Sequence, residues 1–206
     1  MSGNTRSIIK GKAALVVNEC QLGVIDARYC SFKGLAQQVE ERGMVANIAA
    51  LAAAFRAAGL PVLHTPVRHR PDFADMAPNS LISAMSLKQR NMAEGSPEAG
   101  FVEGLEPKPE DIVIVRTSGI IAFNGTSLDA ILRRMDVSTV VLVGVSTNLG
   151  MPGNMMTACD LGYTVVIPED CIAGADPEVH KIIVAEQLRL MSRITTSEEV
   201  IKAIAA

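Results

Sequence analysis

Three short stretches of this chain carry residues that could do chemistry together: Asn18-Glu19-Cys20-Gln21, Val115-Arg116-Thr117-Ser118, and Gly144-Val145-Ser146-Thr147-Asn148-Leu149-Gly150. Glu19 closes an apolar run, Ala13–Asn18. A carboxylate at the end of a buried strand either pairs with a cation or serves in proton transfer. Burial would suit it to general acid work, and a neighbouring cation would hold it ionised. Arg116 follows a second apolar run, Ile112–Val115. A guanidinium cannot act as a base, but it forks onto a carboxylate, whether from Glu19 or from a substrate. A structural Glu19–Arg116 salt bridge is the alternative to both roles. The third stretch leads from an apolar run, Thr139–Val143, into a helical pattern from about Asn154. Such a turn aims backbone N–H groups and the positive end of a helix at a bound group. It often carries a Cys or Ser nucleophile. Gly150 has no side chain, so here the turn can bind or polarise a substrate but cannot attack it.

The other reactive side chains read as less committed. Gln21 could orient Glu19 or a substrate carbonyl, or simply satisfy backbone groups at the turn. Cys20 alternates to the side opposite Glu19 and reads as a packing residue. Cys159 and Cys171 have no local His partner, and the four cysteines form no CxxC pair or zinc spacing. His64, His69 and Asp72 fit no metal pattern, so no metal and no cofactor are expected. Arg68-His69-Arg70 is a small basic patch that could meet an anionic substrate or lie in solvent.

These residues need elements to hold them. Apolar runs alternate with amphipathic stretches, which implies βαβ units around a parallel sheet. The expected strands are Ala13–Asn18, Leu60–His64, Ile112–Val115, Thr139–Val143, Thr164–Ile167 and Arg193–Thr195. Met44–Ala58 is expected as a helix: Ile48, Leu51, Ala52 and Phe55 share one face, and Gly59 follows. Further helices are expected after Thr126 as a cap, from about Asn154 to Gly162, over Pro177–Met191, and after Ser197 as a cap. Thr65–Leu105 is long, weakly periodic and rich in Pro, Met and Asn, the character of a lid or binding loop. In an open parallel sheet, ligands bind beyond the carboxyl ends of the strands, which is where Glu19, Arg116 and the Ser146–Gly150 turn fall.

Composition limits the partners. The chain has 206 residues, 49% of them apolar, and a net charge of −3, which argues against nucleic acid or an acidic membrane. The polar start lacks a signal-peptide pattern, and cytoplasmic, reduced thiols are expected. Val137–Cys159 is uncharged, but its glycines, Pro152 and two asparagines mark a buried strand–turn–helix rather than a membrane span. One domain over residues 1–206 is expected, an α/β/α sandwich with a six-stranded, mostly parallel sheet.

In order along the chain, these motifs resemble the isochorismatase-like, or cysteine hydrolase, superfamily. Its first strand ends in an Asp followed one residue later by Gln; here Glu19 and Gln21 stand there. Its Ala-Ala-Gly-Leu-Pro-Val is Ala57–Val62, and its catalytic Lys falls at Arg116, ahead of Phe123-Asn124-Gly125-Thr126. Its Gly-Val-x-Thr is Gly144–Thr147, its nucleophilic Cys falls at Gly150, and Gly162-Tyr163 and Glu169-Asp170 follow. The resemblance implies a turn shaped by a cis peptide whose N–H groups form an oxyanion hole. It makes Glu19, Arg116 and Gly150 the catalytic positions, with Gln21, Phe123, Val145, Ser146 and Thr147 contacting substrate. The Cys-dependent amidase route is closed by Gly150. True isochorismatases also carry Gly there, protonating a vinyl ether from the Asp position, a task Glu19 could take over. The implied protein is a homodimer or homotetramer, acting by general acid–base chemistry on a small, anionic metabolite. The alternative is a non-catalytic relative that binds a small ligand or a partner.

Overall fold

The computed structural model describes residues 8–205. Its strands are β1 (Lys12–Asn18), β2 (Val62–Thr65), β3 (Ile112–Val113), β4 (Val137–Val145), β5 (Thr164–Pro168), β6 (Ile172–Ala173) and β7 (Arg193–Thr195). They form one sheet in the order β3-β2-β1-β4-β5-β7, with β6 beside the end of β4 and every pairing parallel. Six of these strands match the expected ones to within a few residues. The seventh, β6, pairs Ile172 with Gly144 and Ala173 with Val145, and two residues are too short a run to show a period.

The helices are α1 (Leu22–Ile25), α2 (Lys33–Glu41), α3 (Met44–Ala57), α4 (Leu81–Gln89), α5 (Leu128–Arg134), α6 (Gly150–Asp160), α7 (Pro177–Ile183), α8 (Arg189–Met191) and α9 (Ser197–Ile204). Alternation along β1 and β4 builds a core on each face of the sheet. Leu15, Val17, Val141 and Val143 pack with Met44, Ile48, Leu51 and Phe55 of α3 and Val200 of α9. Val16, Val140 and Leu142 pack with Leu128 and Leu132 of α5 and Met151 and Met155 of α6. Helices on both faces thus give three layers, and the predicted stripe of α3 is the buried one.

Several boundaries move for identifiable reasons. α6 begins at Gly150 rather than near Asn154: Pro152 fits the first turn, where its missing N–H costs nothing, so the glycines are not a separate turn. Thr196, not Ser197, caps α9 by accepting from the Glu199 N–H, and Ser197 instead donates its hydroxyl to Asp170. Thr126 Oγ1 does accept from the Leu128 N–H at the start of α5. A π-helical turn, Val184–Leu188, joins α7 to α8 and interrupts the single helix expected there. The Thr65–Leu105 segment contains α4, capped by a reciprocal Ser80–Ser83 pair; no residue of α4 is fully buried, which explains why this helix shows no clear period. Among the described residues no helix is long and apolar enough to cross a membrane.

The strand order reverses between β1 and β4. Their carboxyl ends therefore open a crevice between the two central strands.

Candidate active site

β1 carries Glu19 to the mouth of that crevice. Glu19 has φ of 54°, a left-handed conformation that costs a residue with a Cβ about 1 kcal/mol. Its carbonyl accepts from the Gln21 N–H at 2.9 Å, so the chain reverses at once. This reversal leaves the Glu19 side chain 14% exposed on the wall of a cavity of about 510 Å³. Arg116 comes in behind it from beyond β3. Its Nη2 pairs with Glu19 Oε1, and its Nη1 donates to Gly119 O at 2.9 Å. Burial pulls the guanidinium down to about 10, which leaves it charged at neutral pH. Its Nε is buried with no hydrogen-bond partner among the described residues. Glu19 thus stands as a carboxylate between a buried cation and the cavity.

β4 supplies the opposite wall. The Val145–Ser146 peptide is cis. Val145, Ser146 and Gly150 border the cavity, and α6 starts there with its N-terminal end. Asn18, fully buried, ties the two strands: its Nδ2 donates to Val145 O at 2.7 Å, and its Oδ1 accepts from Thr65 Oγ1 at 3.1 Å. Gly144 is required by this approach, because a Cβ there would overlap Asn18 O. Gly150 is packed as well: a Cβ would lie 2.8 Å from Val145 O and 3.0 Å from Asn18 Nδ2. Asn154 secures the helix start, donating to Gly150 O at 2.8 Å and accepting from the Ala122 N–H at 2.7 Å.

The structure brings Glu19, Arg116, Val145, Ser146 and Gly150 together, and it places Gln21, Phe123 and Thr147 elsewhere. Gln21 is fully buried; it donates to Val67 O and Ala99 O and accepts from the Val67 N–H, which fastens the long segment to β1. Phe123 lies in the core, its ring 6.2 Å from that of Tyr163. The Thr147 hydroxyl meets His180 Nδ1 at 2.8 Å, and its N–H donates to Ala173 O. None of these three borders the cavity. A period of two would put Gln21 on the side of Glu19 and Thr147 on the side of Val145, but neither stretch continues its strand: the chain reverses at Glu19, and β4 ends at Val145.

The remaining reactive groups are engaged locally. Cys20 is buried, and burial pushes its thiol up to about 12. All four cysteines are free thiols. His64 faces Asp111 while His69 Nδ1 meets Thr117 O, so the two histidines do not converge. Arg70 forks onto Asp72 and Arg68 lies over the Phe101 ring, which leaves only His69 of the basic patch on the cavity wall. The long segment covers the cavity with Met76, Met85 and Met92, and Asp75 also borders it. Asn154 and Asp75 were not expected site residues. Asn18 sits at a strand end, a signal available in the sequence; Asp75 has none.

The isochorismatase domain matches residues 13–199 of this chain. The chain belongs to the isochorismatase family. Among its relatives, the isochorismatase family protein YecD of Escherichia coli O157:H7 is 31% identical over 193 residues, which is 93% of this chain and 95% of YecD. A maleamate amidohydrolase of Pseudomonas putida is 30% identical over 143 residues, covering 68% of this chain and 65% of that enzyme. Among solved structures, an isochorismatase family protein from Desulfovibrio vulgaris superposes with a TM-score of 0.80 at 27% identity, over 96% of this chain and 100% of that one. The family's fold therefore holds over nearly the whole chain, including the crevice between β1 and β4.

Proposed function

We propose that this isochorismatase-family protein is a small-molecule hydrolase in which Glu19 is the general base. The observation that carries the reading is the position of Glu19: paired with buried Arg116, yet open to a cavity of ligand size. A carboxylate so placed can take a proton from water as the water adds to a substrate carbon. The turn from Val145 to Gly150 and the start of α6 would stabilise the negative charge that develops. Gly150 makes the attacking group water rather than a protein thiol, so no covalent intermediate forms. The likeness to the amidohydrolases suggests amides and ureas as the substrate class, with maleamate a member to try first. Pairing with Arg116 favours base over acid, and this shifts weight away from protonation of a vinyl ether.

The small-molecule partner is proposed on the same grounds; one domain over the chain, a homo-oligomer and a cytoplasmic setting are proposed from the family likeness alone. One feature favours a non-catalytic reading: Arg116 already occupies Glu19, and methionines line the cover. The cavity nevertheless stays open beside Glu19, which a retired site has no need to keep.

The test is ammonia release from a panel of small amides and ureas, and pyruvate release from isochorismate, with Glu19→Gln beside the parent protein. Hydrolysis that falls by about 100-fold or more in the variant supports the base role. Turnover unaffected by the variant, or none on any substrate, sinks it in favour of the ligand-binding alternative.

A further inference from the structure

Thr147 is the residue of the turn opposite Glu19 that faces away from the cavity. Val145, Ser146, Asn148, Leu149 and Gly150 border the cavity, and Thr147 between them is fully buried. Its N–H donates to Ala173 O at 2.9 Å, and its hydroxyl meets His180 Nδ1 at 2.8 Å. These two bonds pin the middle of the turn, the second of them to α7. His180 is buried, and its Nε2 has no hydrogen-bond partner among the described residues; Glu169 Oε1 lies 3.6 Å from it. Arg42, just past α2, approaches the same carboxylate at 3.9 Å and donates to Glu169 O and Ile172 O. Burial, with the charge of Arg42, pushes the imidazole down against the pull of Glu169, so the ring is neutral at pH 7. The charged groups on α7 itself are occupied: Lys181 pairs with Glu178 at 2.7 Å, and Asp176 caps the helix by accepting from the Glu178 and Val179 N–H groups.

A neutral ring carries one hydrogen. The carboxylate beside Nε2 favours it there, which leaves Nδ1 to accept from the Thr147 hydroxyl. Protonation removes that acceptor, because both ring nitrogens then donate. The Thr147 hydroxyl has no second partner among the described residues. We propose that His180 is a positioning residue for the turn opposite Glu19, holding it through the Thr147 hydroxyl while neutral and releasing it when protonated. The consequence for rate rests on the hydrolase reading: N–H groups stabilise developing charge only when they are held on target. Acid then weakens the site through a side chain that never touches substrate.

The test follows the backbone amide signals of Ser146–Gly150 and the His180 ring by NMR in the full chain, from about pH 8 to about pH 4.5. Turn and ring should share one midpoint, below about 6.5. Glu19→Gln should leave that midpoint in place, which separates it from titration of Glu19. Thr147→Val should silence the turn while the ring still titrates. Glu169→Gln changes a half-exposed side chain and should move the midpoint lower, because a group that favours the charged ring is gone. Turn amides that stay flat, or that still follow the ring in Thr147→Val, overturn the inference, as does a midpoint that Glu169→Gln leaves fixed or raises. On any amide that the parent protein hydrolyses, Thr147→Val should lower kcat by about tenfold with KM little changed. The acid limb of the rate should move lower in Glu169→Gln together with the NMR midpoint, and a limb that stays put overturns the inference too. A parent protein without turnover sinks the hydrolase reading alone, since the amide titration still decides whether His180 holds the turn.

Discussion

Two carboxylate–arginine pairs sit near the same edge of the sheet, and they are finished differently. Asp111, just ahead of β3, is 1% exposed and accepts from Arg56 Nε at 2.9 Å, Arg56 Nη2 at 2.7 Å, the Lys108 N–H at 2.9 Å and His64 at 3.1 Å. Burial alone would push Asp111 up, but those donors outweigh it and hold the carboxyl below its ordinary value. Glu19 meets one side chain, Arg116, whose Nε goes unpaired, and its other side faces the cavity. A buried pair with both carboxylate oxygens engaged by protein donors has little left to offer a ligand and reads as structure. A pair with unused capacity, set beside an open cavity and reached through a left-handed residue, keeps a vacancy for chemistry.

The contrast breaks most directly when one carboxylate in each pair is neutralised. Asp111→Asn removes a charge from a buried, bidentate network, and a stability loss of about 3 kcal/mol or more is expected in urea unfolding. Its turnover per folded molecule should stay near that of the parent protein. Glu19→Gln should show the reverse, with hydrolysis lost and a smaller drop in stability, because its amide oxygen can still accept from the one side chain it meets, Arg116. If Asp111→Asn lost turnover and kept its stability, the division between the two pairs would be wrong.

A second, smaller effect probes the turn opposite Glu19. Gly150→Cys restores a thiol where the family's nucleophile is expected, but its Cβ would press on Val145 O and Asn18 Nδ2. A loss of about 1–3 kcal/mol is expected from the overpacking, with no gain of amidase activity. Ammonia release through a thiol that iodoacetamide blocks would show that the turn still accommodates a nucleophile, and would weaken the water-attack reading.

How much of this was legible in the chain depends on which force decides each feature. β1, β4 and α3 are long and strongly patterned, and burial on one face is what their periods report. Glu19 and Arg116 could be picked out because a charged residue closing an apolar run is conspicuous. Which strand-end residues turn into the crevice was not legible, because it is set by register and by the reversal at Glu19, and so Gln21 and Thr147 went to neighbouring backbone and to His180. The start of α6 was hidden by Pro152 and two glycines that resemble a turn. Asp75 lies in a segment without period, and only the folded cover shows that its oxygens are buried and unpartnered.

The smallest effect sharpens the comparison through pH. Burial pushes His64 down, against the opposing pull of Asp111, and burial with the charge of Arg42 pushes His180 down against Glu169. In the unfolded chain both should titrate near about 6.5. As pH falls through that value the unfolded state takes up protons that the folded state refuses, so folding stability is lost on acidification and is fully present above it. Asp111, held low, contributes in the same direction only once pH approaches the ordinary carboxylate range, well below the histidine window. The urea midpoint should therefore decline between pH 6.5 and 5, and His64→Gln should start lower at neutral pH but decline less steeply. Because His64 lies off the cavity wall, the same variant should leave turnover per folded molecule unchanged at neutral pH. A flat midpoint in the parent protein would mean that His64 is charged in the fold, and then the Asp111 cluster would be an ion triad rather than a neutral histidine resting on a finished pair.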